Sequence, residues 1–265
     1  MGRESEMLAM LGLTLLAVVP VDPAAVVVPG AVAVIVAGQS NAAGRGEVLS
    51  EDRLPEPGVY VMKGNGLAYP GADPFDWSAS GTGYGRTLAR GLIDAGVAPQ
   101  VWVVQCAVGY TPVTVWSGRV AAQIPLRNSL DGLLVQRAGF SRYHTGCLLQ
   151  ALPLMRLGVR VVAVAWHQGE SGCSSAVLSA LHASELTKVR DHFRADFPGV
   201  VFVGGELARS NKCLYKDVVN AAVQTVSDGF VTSEGLVTKD AWHFNRDSQR
   251  EFGRRYADAI LRLLN

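Results

Sequence analysis

The stretch AVAVIVAGQSN, residues 31–41, decides how this chain reads. Its first seven residues are apolar without interruption, the mark of a strand buried on both faces, as in parallel sheets covered by helices. Gly38 permits a close turn after that strand, and Ser40 follows where the strand gives way to the next helix. In open α/β sheets ligands bind at the carboxyl ends of the strands, so Ser40 stands at the edge where chemistry is expected. The same serine also reads as an ordinary helix cap.

Outward from this stretch the pattern repeats. Apolar runs recur at 100–105 (QVWVVQ), 159–166 (VRVVAVAW) and 200–204 (VVFVG), with a shorter one at 59–62. Helical patterns lie between them at 84–95, 146–157 and 184–197, and a last helix spans about 248–264. In that helix Phe252, Tyr256, Ile260 and Leu263 recur at helical spacing, with Arg250, Arg254, Arg255 and Arg262 mostly away from them. Strands alternating with helices predict an α/β domain on a parallel sheet. The irregular stretches at about 49–82 and 111–143 read as long loops over the site.

The length of 265 residues, with 49% apolar and 18% charged, suits one domain over 31–265 with a buried core. A net charge of +1 supplies no field to steer nucleic acid or an anionic membrane, and a small neutral or mixed substrate fits better. Residues 1–30 form an apolar extension whose run at 8–19 has the length of a signal-peptide core and is too short to span a bilayer comfortably. Glu4 and Glu6 offset Arg3 and no clean cleavage site follows, which favours a cytoplasmic over a secreted protein. Cys106, Cys147, Cys173 and Cys213 form no CxxC pair. Bridges Cys106–Cys147 and Cys173–Cys213 or four free thiols are all open.

Three further groups carry chemistry. Asp240 and His243 stand three residues apart before the last helix, a spacing at which the carboxylate can hold one ring nitrogen while the other faces a nucleophile. At the end of the VAVAW strand come His167, Gln168, Gly169 and Glu170. Gln168 is a candidate side-chain donor to an oxyanion, and Glu170 a candidate tie for the loop. A metal site on His167 and Glu170 has no HExxH spacing and no clear third ligand. Gly109 follows the 100–105 strand, where a residue without a side chain suits an amide aimed at the oxyanion. Each of these taken singly also reads as a cap, turn or surface residue.

Together, GQSN after the first strand, a glycine after a middle strand, HQGES after a later one and DAWHFN before a C-terminal helix resemble the SGNH hydrolase superfamily. Within it, the chain is most similar to the sialate O-acetylesterase-like carbohydrate esterases, over about 32–261. The resemblance implies a three-layer α/β/α sandwich on a mainly parallel, flavodoxin-like sheet. It implies Ser40 as nucleophile, His243 and Asp240 as its partners, and the Ser40 amide, Gly109 amide and Gln168 side chain as oxyanion donors, with Gln39, Asn41 and Glu170 supporting. The implied reaction hydrolyses short-chain, acetyl-type esters on carbohydrate and needs no cofactor or metal. This chain has Tyr110 where relatives often carry a second glycine, and Gly172-Cys173 where they often carry an acid. Both departures bear on the pocket rather than on the reacting groups.

An α/β-hydrolase would place its GxSxG serine mid-chain, whereas Ser40 lies near the start of the domain and position 42 is Ala. Two other readings are a carbohydrate-binding or adhesive module on the same scaffold and a GDSL-type lipase for longer acyl chains. Tyr69, Trp77, Tyr110 and Trp116 in the irregular stretches are candidates for a sugar platform, and each reads equally as loop packing.

Overall fold

Strand β1 (Val32–Gly38) is buried along its whole length and sorts its side chains by parity. Ala33, Ile35 and Ala37 enter one hydrophobic cluster, and Val32, Val34 and Val36 enter another. That is the period-two geometry of a strand covered on both faces. The computed structural model describes residues 19–75, 81–119 and 141–265. The apolar run at 8–18 and Trp77 lie outside the described residues, as do 120–140 of the second irregular stretch.

After a short helix α1 (Pro23–Val26) and β1, the chain forms α2 (Ser40–Ala43), β2 (Val59–Met62), β3 (Ala68–Pro70) and α3 (Gly85–Asp94). It continues through β4 (Val101–Gln105), α4 (Val113–Trp116), α5 (Arg142–Arg156), β5 (Arg160–His167) and α6 (Ala176–Asp196). The last elements are β6 (Val201–Gly205), α7 (Lys216–Val226), β7 (Gly229–Val231) and α8 (Arg246–Leu264). The sheet order is β3-β2-β4-β1-β5-β6-β7, parallel except for β3. Helices α4 to α7 bury Trp116, Leu154, Phe193 and Val223 on one face, while α3 and α8 bury Leu88, Phe252 and Ile260 on the other. The result is the expected three-layer α/β/α sandwich. The order β4-β1-β5-β6-β7 within it is the flavodoxin-like one, with the switch point beside β1.

The sequence reading misses β3, β7 and α7, and it starts α6 eight residues late. Each edge strand has only three residues, and α7 (KDVVNAAVQTV) is rich in β-branched valine, a weak helix former. The first turn of α6 is instead set by Ser175, whose Oγ accepts from the Leu178 amide.

The stretch at 49–75 is strapped down rather than free. The Asp52 carboxylate accepts from Arg246 at 2.6 Å and Arg250 at 2.7 Å, and Arg250 also reaches Asp73 at 2.5 Å. Burial pushes the Asp52 carboxyl up, but these two guanidinium groups and the Leu49 amide outweigh it and hold it well below the usual carboxylate range. Arg250, on the polar side of the helix by sequence, is therefore a buried anchor that fixes the start of α8.

All four cysteines are paired, Cys106 with Cys147 and Cys173 with Cys213. The first bridge ties the end of β4 to α5, and the second ties the loop after β5 to the loop after β6. They close spans of 41 and 40 residues, each worth about 4 kcal/mol on the chain-entropy model. The intact protein should weigh four hydrogens less than its reduced form by mass spectrometry, and reductant should lower Tm sharply.

His182 is 1% exposed, and burial pulls its pKa down to about 4. The unfolded chain then binds the extra proton between about pH 6.5 and 4, so stability is full above that window and is lost as pH falls through it, by roughly 3 kcal/mol. In urea melts, His182→Gln should flatten this part of the pH dependence.

Candidate active site

The carboxyl ends of three strands are knitted at Gly38. Its φ is +125°, and a Cβ there would stand 2.0 Å from the His167 carbonyl oxygen, so only glycine fits. The Gln39 amide donates to that carbonyl at 2.9 Å, and the Val108 amide donates to the Gly38 carbonyl at 3.0 Å. This places the residue after β1, Gly109 after β4 and Gln168 after β5 side by side. A Cβ on Gly109 would lie 4.0 Å from the Ser40 Cβ. Ser40 opens the single-turn helix α2, where first-turn amides have no helical partner. Among the described residues no acceptor takes the Ser40 or the Gly109 amide.

The loop before α8 brings Asp240 and His243 to Ser40. It is closed by a bridge between Thr238 and Phe244 and by the Lys239 amide donating to the His243 carbonyl at 2.9 Å. Asp240 Oδ1 accepts from the Trp242 amide at 2.8 Å and the His243 amide at 2.7 Å. Its Oδ2 lies 2.8 Å from His243 Nδ1, and His243 Nε2 lies 3.0 Å from Ser40 Oγ. Burial pushes the Asp240 carboxyl up, but the His243 ring and these two amides outweigh it and hold its pKa below the ordinary value. An ionised Asp240 favours the tautomer with hydrogen on Nδ1, which leaves Nε2 as an acceptor toward the serine.

The supporting residues do most of the holding. Asn41 Nδ2 donates to Glu170 Oε1 at 2.7 Å and to the Trp242 carbonyl at 2.9 Å, and its Oδ1 accepts from the Phe244 amide at 3.1 Å. Asn41 therefore grips the chain on both sides of His243. Gln39 Oε1 accepts from Gln168 Nε2 at 3.2 Å, the Gly169 amide at 3.4 Å and the Ser171 amide at 3.1 Å.

Gln168 reaches the expected edge but not the expected direction. It is fully buried, and its two amide hydrogens go to Gln39 Oε1 and to the Thr111 carbonyl at 2.9 Å. In this arrangement the side chain braces the loop after β4 and has no hydrogen left for an oxyanion at Ser40. His167 is also buried, with Nε2 3.2 Å from the Glu206 carbonyl and Nδ1 3.6 Å from Glu170. Among the described residues no group of His, Cys, Asp or Glu is arranged to hold a metal. Sequence reasoning missed Arg45, whose Nη2 is 3.1 Å from where a Cβ on Gly109 would stand and whose Nη1 donates to the Gly44 carbonyl at 2.7 Å. No spacing rule marks it, because the loop after β4 alone brings Gly109 to it.

The candidate platform aromatics separate cleanly. Trp116 is buried, with ring centroids 5.4 Å from Tyr143 and 5.2 Å from Trp166. Tyr69 lies on edge strand β3, its ring under Lys63 and its hydroxyl accepting from Asn65. Tyr110 follows Gly109 with φ +64° and is 82% exposed, the one non-glycine residue with positive φ among the described residues. That backbone conformation costs about 1–2 kcal/mol for a residue with a Cβ.

A serine, a histidine and an aspartate in hydrogen-bonded sequence, at the carboxyl edge of a flavodoxin-like sheet, are the arrangement of SGNH-type hydrolases. The chain belongs to the family described as carbohydrate esterase, sialic acid-specific acetylesterase, which matches residues 31–262. It is a carboxylic ester hydrolase of the carbohydrate acetylesterase kind. Among solved structures it is similar to a protein from Arabidopsis thaliana, at 20% identity and a TM-score of 0.71, over 89% of this chain and 99% of that one. It is also similar to NanS, at 16% identity and a TM-score of 0.61, over 90% of this chain and 99% of that one. A third likeness is to XAC1771, a carbohydrate acetylesterase from Xanthomonas citri, at 13% identity and a TM-score of 0.59. That match covers 87% of this chain and 56% of the other. At these identities the likeness speaks for the fold. No curated protein matches the chain in sequence.

If Asn41 sets the place of His243, then Asn41→Ala should lower kcat on the order of 10²-fold while KM moves little, the effect of displacing a reacting group by about an ångström. Steady-state kinetics on p-nitrophenyl acetate check this. Equal loss in Asn41→Asp, which keeps the acceptor but lacks the amide hydrogens, would assign the effect to the donor side of Asn41.

Proposed function

We propose that this esterase removes acetyl groups from carbohydrate through a Ser40–His243–Asp240 triad and an acyl-enzyme. The observation that carries this is the unbroken relay from Asp240 Oδ2 through His243 to Ser40 Oγ, with contacts of 2.8 and 3.0 Å. Each contact lies within the reach that proton transfer requires.

The steps follow from the groups present. His243 Nε2 takes the Ser40 proton as Oγ attacks the ester carbonyl, and the ring becomes a cation facing the Asp240 carboxylate. The carbonyl oxygen gains negative charge and turns to the amides of Ser40 and Gly109, which have no acceptor among the described residues and serve as preorganised donors. When the tetrahedral centre collapses, His243 returns its proton to the departing sugar hydroxyl and acetyl stays on Ser40. Water then attacks the acetyl-enzyme with His243 again as base, which releases acetate and restores the serine. Gln168 takes no proton in this scheme and serves by holding Thr111, two residues beyond Gly109.

The acetyl group and the sugar rest on the family match, whose description names carbohydrate and sialic acid. Hydrolysis of O-acetyl sialic acid, acetylated xylan and p-nitrophenyl esters of increasing chain length would rank these acceptors and acyl groups. A preference for long chains would overturn the acetyl assignment. The two disulfides support placement in an oxidising compartment, against the cytoplasmic expectation drawn from the N-terminal charges.

Ser40→Ala should reduce kcat on the order of 10⁶-fold and abolish labelling by a fluorophosphonate, which a binding module would not show even in its native form. Asp240→Asn should lower kcat on the order of 10⁴-fold by stabilising the wrong histidine tautomer. Wild-type rates in Ser40→Ala would sink the triad.

A further inference from the structure

Tyr110 is held in an unfavourable backbone conformation, and among the described residues no packing accounts for it. Its φ is +64° and it is 82% exposed, so no burial of the ring offsets the strain. Strain kept at an exposed position next to a reacting centre points to a role outside the fold itself.

The backbone around Tyr110 is pinned on both sides. Before it, Val108 donates to Gly38, and Gly109 approaches Ser40 so closely that its Cβ would lie 4.0 Å from the serine Cβ. After it, the Thr111 carbonyl accepts from Gln168 at 2.9 Å. The Thr111 hydroxyl donates to the Val108 carbonyl at 2.7 Å and accepts from Trp116 Nε1 at 2.8 Å. The phenol is therefore presented from a rigid tip whose Cα is about 3.8 Å from that of Gly109.

In an acetylated sugar the ring is joined to the reacting carbonyl through one ester oxygen. When acetyl sits at Ser40 and the Gly109 amide, the sugar ring must lie at the rim, within reach of a tyrosine side chain. A pyranose has a face of C–H groups that stacks on the negative face of an aromatic ring. We propose that Tyr110 is the platform on which the sugar ring of the substrate stacks, so that it sets selectivity for ring-bearing acetates over simple ones. This rests on the carbohydrate reading above and adds to it the residue that recognises the alcohol.

The test compares kcat/KM for O-acetyl sialic acid or an acetylated xylo-oligosaccharide, whichever the wild type takes faster, with kcat/KM for ethyl acetate, which has no ring. Tyr110→Ala and Tyr110→Gly should each lower the ratio of sugar ester to ethyl acetate about tenfold, mainly through KM for the sugar ester, while Tyr110→Phe keeps the ratio. Tyr110→Gly should also raise Tm, since glycine adopts this φ freely, whereas a structural role would lower it. A ratio unchanged in Tyr110→Gly, with the wild type active on the sugar ester, would overturn the platform alone. A wild type that cleaves ethyl acetate but neither sugar ester would overturn the carbohydrate reading and the platform with it.

Discussion

The site depends on one close approach, that of the Gly38 backbone to the His167 carbonyl. No side chain fits between them, since a Cβ on Gly38 would stand 2.0 Å from that oxygen. The same carbonyl takes the Gln39 amide, and the Gly38 carbonyl takes the Val108 amide. Three parallel strands thereby end at a common height. The backbone at those ends thereby brings Gly109 beside Ser40, before any side chain is considered. A side chain at position 38 would separate β1 from β5 and move the serine away from the glycine amide beside it.

From this junction the stiffness spreads through polar side chains rather than through apolar packing. Asn41 and Gln39 flank the serine in sequence and face different loops, Asn41 toward the turn carrying His243 and Gln39 toward the turn after β5. Each buried amide bonds backbone groups of one loop and a side chain as well, and these hydrogen bonds fix the loop positions. Asp240 works differently, because its side chain is 43% exposed. It keeps its geometry through two amides of its own turn and does not rely on burial.

The rim is built on another principle. The Arg246 and Arg250 pairs with Asp52 and Asp73 fasten the loop over α8, and the disulfides fasten the loops after β4 and β5. Tyr110 is the exception in this rim. It is carried on a braced backbone with its ring in solvent.

Much of this was legible in the sequence. Apolar runs announced β1, β4, β5 and β6, because the interior of a strand buried on both faces is filled by apolar residues. The placement of GQSN, Gly109, HQGE and DAWH at strand ends or before the last helix marked one edge of one sheet. Short strands β3 and β7 and the valine-rich helix α7 were not legible, since their stability comes from neighbours rather than from local pattern. Direction was also beyond the sequence. Gln168 has the right chemistry for an oxyanion donor, yet the Thr111 carbonyl and Gln39 take both its hydrogens. Arg250 sits on the polar side of a helix by periodicity, yet two carboxylates from a distant loop bury it. The sequence by itself determined which groups gather at the Ser40 edge, through the periodicity that builds the sheet. The tertiary structure alone decided which way each points, because a hydrogen bond depends on a partner far along the chain.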